Sequence, residues 1–163
     1  MLIHLKNKDT LIVNHFNFKC CVGKNGLKKE KREGDLTTPK GIFQIKELYY
    51  RADKIKKVDT NLKKVKIKKY MGWCNDPKHK KYNSLINIRS KIKHEKMFRK
   101  DKKYDFVIII DYNLKKPIPF KGSAIFIHLT TNFKPTAGCI ALKKNDMLIL
   151  LKLINKKTKI NIT

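Results

Sequence analysis

No apolar run in this chain of 163 residues approaches the ~20 that span a bilayer, so no transmembrane helix is expected. Its beginning, MLIHLKNKDTLIVNHF, alternates apolar and polar residues and soon becomes charged. A long apolar stretch ending in small residues is missing, so no secretory signal is read there. A cytoplasmic location, an absent leader or an unusual export route would each satisfy that reading. Acidic residues are scarce, 13 against 40 basic ones, and the formal net charge is +27. Such a field favours anionic partners: nucleic acid, anionic lipid or an acidic cell-wall polymer. Arginine is scarcer still, with Arg32, Arg51, Arg89 and Arg99 the full set. Nucleic-acid surfaces usually mix arginine with stacking aromatics, and no basic run here does so. The lysines therefore read as a solvated surface, and no specific nucleic-acid partner is expected.

Cysteine is sparse too. Cys20, Cys21, Cys74 and Cys139 form no CxxC pair. Adjacent residues of a strand point to opposite faces, so Cys20 and Cys21 are poor partners for one another and no disulfide framework is expected. Cys74 with His79 makes at best a weak metal pair, and no metal site is expected. P-loop, HExxH, GxSxG and dinucleotide fingerprints are all absent.

What is present suffices for a core: 41% of residues are hydrophobic, and the length fits one domain, residues 1–163. MLIHL and TLIVNHF read as strands around the turn KNKD, followed by FKCCVG. The charged stretch after Leu27 reads as a loop broken by Gly34, Pro39 and Gly41, leading into a strand, GIFQIKELYY. NLKKVKIKKY reads as an edge strand protected by lysines. Met71 to Asp101 has weak periodicity and reads as a long, mostly irregular excursion with a helical turn; an ordered connection of that length is often functional. YDFVIIIDYN, GSAIFIHL and AGCIAL read as strands, KNDMLILLKLINK as a helix with Asn145 or Asp146 near its start, and KINIT as a strand closing the sheet. The fold class is β-rich α+β with a C-terminal helix.

One pair carries chemistry. His128 ends an apolar strand, and Cys139 follows eleven positions later, after a polar loop and Gly138. A thiol is a competent acyl acceptor when a base or a positive environment assists its ionisation. The loop TTNFKPT can fold back between neighbouring strands and bring the histidine to it. Gly138 permits close approach of substrate, and backbone N–H groups of the turn can hold an oxyanion. Against this, buried cysteines and strand-end histidines are commonly structural. Spacing alone leaves both possibilities open, including a noncatalytic basic binding module.

GSAIFIHLTTNFKPTAGCIAL resembles the catalytic stretch of the L,D-transpeptidase (YkuD-like) family: a strand-borne His, a loop, then Ser/Thr-x-Gly-Cys. Upstream, KREGDLTTPKGIF resembles the family's Gly-Asp, Thr-Pro and Gly-x-Phe segment. YRADKI, GWCNDPKHKKYN, HEKMFRKDKKYD and VIIIDYN are similar to a compact bacterial branch. The resemblance implies a β-sandwich-like fold of mixed sheets. It makes Cys139 the nucleophile and His128 the general base and later acid, with oxyanion donors at the backbone of Gly138 and Cys139. It implies attack on the L-to-D peptide bond of a peptidoglycan stem peptide, release of D-alanine, and transfer of the acyl group to an amine; water as acceptor gives an L,D-carboxypeptidase. No cofactor is implied, the chain is expected to act as a monomer, and the family's work implies a periplasmic or cell-wall location. Two departures stand out: Ala137 where many members have His, and Ala141 where many have Arg or Asn. Arg32 or Lys31, Trp73, Asp76, Tyr82, Asn83 and Thr136 are candidates for the substrate cleft. Each of these also has a structural alternative, such as Trp73 as a core anchor, Asp76-Pro77 as a turn cap, and His94 with Glu95 as a local polar network.

Overall fold

Alternation with a period of two builds the first three strands. β1 (Leu2–Lys6) buries Ile3 and Leu5, β2 (Thr10–Val13) buries Leu11 and Val13, and β3 (Phe16–Cys21) buries Phe18 and Cys20. This computed structural model describes residues 1–89 and 91–163; Ser90, inside the excursion after Met71, lies outside the described residues. The single strand expected from Thr10 to Phe16 is two strands. Asn14 adopts φ 51°, and Val13 lies opposite Phe16 across a two-residue turn. Asparagine tolerates the left-handed backbone that such a hairpin demands.

A short parallel pair follows, β4 (Leu27–Lys28) with β5 (Thr38–Pro39), then the long β6 (Gly41–Tyr50) and the lysine-flanked β7 (Lys64–Lys66). The stretch after Met71 is a small antiparallel sheet of β8 (Met71–Cys74), β9 (Leu85–Asn87) and β10 (His94–Lys96), with β8 central. It contains hydrogen-bonded turns in place of the expected helical turn. Strands of three or four residues are too short to carry a readable period. The chain continues through β11 (Phe106–Ile110), β12 (Phe126–Leu129), β13 (Ile140–Leu142), the helix α1 (Lys144–Leu153) and β14 (Lys159–Ile162).

Two mixed layers share β3 and β6. One runs β3-β2-β1-β14-β6 and the other β3-β13-β12-β11-β6, with β7 outside β6 at the rim. β1/β14, β12/β13 and β6/β7 are parallel, and the rest of these pairs are antiparallel. KINIT thus lies inside a layer, between β1 and β6. The main core between the layers takes Leu5, Leu11, Phe106, Ile108, Ile127 and Ile140, and α1 covers it with Met147, Leu150 and Leu151. The helix begins after Lys143 without a side-chain cap, while Asp146 in its first turn and Lys152 in its last suit the helix dipole.

β11 is apolar at every position because both its faces are covered. Phe106, Ile108 and Ile110 face the main core; Val107 and Ile109 join a second cluster with Trp73, Met97, Tyr104 and Phe126. The small sheet roofs that second face, each large apolar side chain contributing about 1.5–3 kcal/mol by leaving water. This alternation positions the chemistry: Ile127, Leu129, Ile140 and Leu142 point to the main core, so His128, Cys139 and Ala141 point the other way, toward the roofed face.

Candidate active site

β12 and β13 run parallel with His128 opposite Ala141, so Cys139, two residues earlier, lies one step down the same face. Both side chains are buried and both line a cleft of about 840 Å³. Its walls come from the 31–36 loop, the roof residues Asn75, Lys93 and Glu95, the 120–125 segment and the 128–139 loop. Among the described residues, Asn75 Oδ1 is a buried side-chain polar atom without a hydrogen-bond partner, and its residue lines this cleft, as does the buried Ser123, which lies against the Tyr82 hydroxyl. Buried polar atoms are normally paired, so Asn75 Oδ1 is available to a ligand.

His128 Nδ1 lies 2.9 Å from the Leu129 carbonyl. A carbonyl only accepts, so Nδ1 carries the proton and Nε2 is left as the base. The Tyr104 ring packs edge-on against the imidazole, centroids 5.3 Å apart, and its hydroxyl donates to Glu95. Burial lowers the imidazole pKa to about 4, and the charges of Lys103 and Arg99 add to the fall against the Leu129 bond. Burial pushes the Cys139 thiol up to about 12, with the Glu95 charge adding to the rise. At neutral pH the cleft therefore holds a neutral thiol and a neutral imidazole rather than a preformed ion pair.

The thiol donates to the Ala124 carbonyl at 3.1 Å. Ala124 has φ 53°, and its N–H is held by Asn83 Oδ1 at 3.0 Å. Asn83 is a four-way tie: the same oxygen accepts from Trp73 Nε1 at 2.9 Å, and Nδ2 donates to the Tyr112 and Asn113 carbonyls at 3.0 and 2.7 Å. Left-handed backbone at a bulky residue is uncommon and stores strain. Leu36 and Phe120, at φ 58° and 64°, also line the cleft, and Phe133, at φ 54°, sits in the loop between the two catalytic candidates.

The loop before Cys139 is pinned at Thr136, whose N–H donates to Val22 and whose carbonyl accepts from Lys24, both at 2.9 Å. Thr136 Oγ1 donates to the Cys139 carbonyl at 2.6 Å and accepts from the Gly138 N–H at 3.1 Å. Gly138 adopts φ 144°, and a Cβ there would come 2.8 Å from the Thr37 carbonyl, so the turn requires glycine. The Gly-Asp segment folds around the Asp35 carboxylate, which accepts from Lys31 Nζ (2.7 Å), Arg32 N–H (2.8 Å), Thr37 N–H (3.0 Å) and Thr37 Oγ1 (2.8 Å). Burial works to raise this carboxyl, but those donors hold it well below the usual carboxylate range.

His128, Cys139, Gly138 and Thr136 of the expected site residues line the cleft, as do Lys31, Ala137 and Ala141. Arg32 does not: it is exposed, and Lys31 takes the inward position because its stem packs over Gly122. Trp73 lies in the core, edge-on to Tyr49 and Phe126. Tyr82 and Asn83 are buried behind the wall; the Tyr82 hydroxyl donates to Glu33, which lines the cleft, and accepts from the Gly122 N–H at 3.0 Å. Asp76 caps a turn through the Lys78 N–H. Of the His94-Glu95 pair, His94 bonds the nearby Ile92 carbonyl while Glu95 reaches the cleft. Tyr104, Ser123, Asn75 and the Ala124 carbonyl carry no signal in the sequence. The four cysteines are free, and among the described residues no group of three or more His, Cys, Asp or Glu is placed to hold a metal. No helix among them is long and apolar enough to cross a membrane.

The whole chain has a counterpart in the helical cell shape determining protein Pgp2 from Campylobacter jejuni: TM-score 0.54, 17% identity, covering 99% of this chain and 46% of that one. A point mutant of Pgp2 matches with the same figures. The likeness is one of fold, and this chain spans under half the length of that protein. No curated protein matches the chain. The family model described as L,D-transpeptidase catalytic domain matches residues 2–162. With that model matched across nearly its whole length, the chain belongs to the YkuD family of L,D-transpeptidase catalytic domains.

Proposed function

We propose that the chain is a cysteine acyltransferase acting on peptidoglycan stem peptides, with Cys139 as nucleophile and His128 as general base and then general acid. The observation that carries this reading is the Nδ1 bond of His128 to Leu129, which leaves Nε2 as base in the cleft that also holds Cys139. A tetrapeptide stem lies with its L-to-D bond over Cys139. Nε2 takes the thiol proton as sulfur attacks the carbonyl carbon, and the tetrahedral intermediate collapses as Nε2 protonates the departing D-alanine amine. The acyl-enzyme then passes to an amine of a second stem, giving a 3→3 cross-link. Unpaired Asn75 Oδ1 supplies a hydrogen-bonding atom for the peptide.

The mix of charges in the cleft, Lys31, Arg99 and Lys103 with Glu33 and Glu95, suits a stem peptide that bears both carboxylates and an ammonium. Such a substrate belongs to the cell wall, and the +27 surface would favour anionic wall polymer around it. Product analysis with disaccharide tetrapeptide tests the reading. Cross-linked dimer with free D-alanine is the expected outcome, and free tripeptide without dimer would assign the carboxypeptidase reaction to the same dyad. Absence of every product across several stems contradicts both, and leaves the noncatalytic binding module.

A further inference from the structure

An oxyanion needs donors already aimed where its charge develops, commonly two. The Gly138 N–H is committed to Thr136 Oγ1, so of the two backbone donors expected at the turn only the Cys139 N–H remains to be assigned to an oxyanion. One place in the fold supplies a second donor. Lys31 is 5% exposed, unusual for a lysine, and a Cβ built on Gly138 would lie 3.4 Å from its Nζ. The ammonium has three N–H donors. Asp35 Oδ1 takes one at 2.7 Å and the Arg32 carbonyl a second at 3.4 Å, which leaves one for the cleft.

Its placement is built into the fold rather than a chance of surface conformation. Asp35 is itself fixed by three further donors from Arg32 and Thr37, so the ammonium is anchored at its charged end. Gly122 makes room for the stem: a Cβ there would come within 2.9 Å of Lys31 Cε. The two alanines, Ala137 and Ala141, provide no cation of their own on β13 or the turn before it. The cation comes from the 31–35 loop instead.

We propose that Lys31 Nζ is the second oxyanion donor, acting with the Cys139 N–H. As sulfur bonds to the carbonyl carbon, the π pair moves to oxygen, which accepts from Nζ and from the Cys139 N–H. The thiol proton goes to His128 Nε2, and Lys31 keeps all of its protons throughout. On collapse the pair returns to the carbonyl and the C–N bond breaks, with His128 protonating the amine. This assignment rests on the acyl-transfer reading and deepens it.

The test compares Lys31→Met with wild type in two reactions of the same thiol. Single-turnover acylation by disaccharide tetrapeptide passes through an oxyanion; alkylation by iodoacetamide is a displacement at carbon and does not. Lys31→Met is expected to lose about 10²-fold in acylation rate with little change in KM, and far less in alkylation. The fold should survive, because Asp35 keeps three donors; if it does not, Lys31→Gln, which retains a neutral donor, makes the same comparison. Equal losses in both reactions would overturn the proposal, since Lys31 would then act only on the thiol. A loss confined to KM that vanishes with a stem ending in D-alaninamide would also overturn it, making Lys31 a carboxylate anchor. Wild type that acylates while both variants match it overturns this assignment alone. Wild type that forms no adduct overturns the acyl-transfer reading and this assignment together.

Discussion

At the residue scale, the proposed chemistry depends on how two neutral groups are held. His128 is buried, bonded to the Leu129 carbonyl and packed against Tyr104, so the orientation of its ring is fixed in the cleft; in the proposed reaction Nε2 is the base. Its pKa of about 4 places the acid limb of kcat/KM near pH 4; a limb near the ordinary histidine value of 6.5 would contradict that environment. Stability follows with a definite sign. The unfolded chain takes up a proton near pH 6.5 and the folded one only near 4, so this group erodes stability as pH falls between them. A His128→Gln variant should show a flatter pH dependence of denaturant midpoint across that window, and an unchanged slope would remove the burial argument. Asn83 acts one step back. Asn83→Ala leaves Ala124 N–H and Trp73 Nε1 without their acceptor, at about 1–3 kcal/mol for each buried group, read from the denaturant midpoint.

The elements show why some features were readable and others were not. β1 and α1 are long enough for alternation or helical spacing to stand out, β11 shows as an unbroken run of apolar, mostly β-branched residues, and GIFQIKELYY is β6 from end to end. The roof was not readable as a sheet. Its strands have three or four residues, and its pairing depends on contacts with the face below, where Trp73 meets Tyr49 and Phe126. For the same reason the motif segments pointed to His128 and Cys139, which the fold brings to one cleft, but said nothing of Tyr104 or Ser123, whose places there arise from packing across distant segments. Arg32 and Lys31 are adjacent, and the turn around Asp35 with the space over Gly122 decides which one faces inward. If the roof is an integral wall of the site, Trp73→Ala should cost about 3–5 kcal/mol by denaturation and reduce acylation of Cys139 as well. Lost stability with unchanged acylation would make the roof a cover only.

For the molecule as a whole, two layers sharing β3 and β6 make a frame whose outer face carries the cleft under a small sheet. We expect residues 1–163 to unfold as one unit. Trp73, the only tryptophan, sits between roof and frame, so its emission and the far-UV dichroism should change together in denaturant. An earlier fluorescence transition would mean that the roof melts separately. Function at this scale comes down to whether the cleft makes a covalent intermediate. The most direct measurement is the intact mass of the protein after mixing with disaccharide tetrapeptide. The expected result is one acyl adduct, mapped to Cys139, formed with release of D-alanine and lost in His128→Ala. A folded protein whose mass stays unchanged across several stem peptides would contradict the assignment of Cys139 and His128 as an acyl-transfer pair.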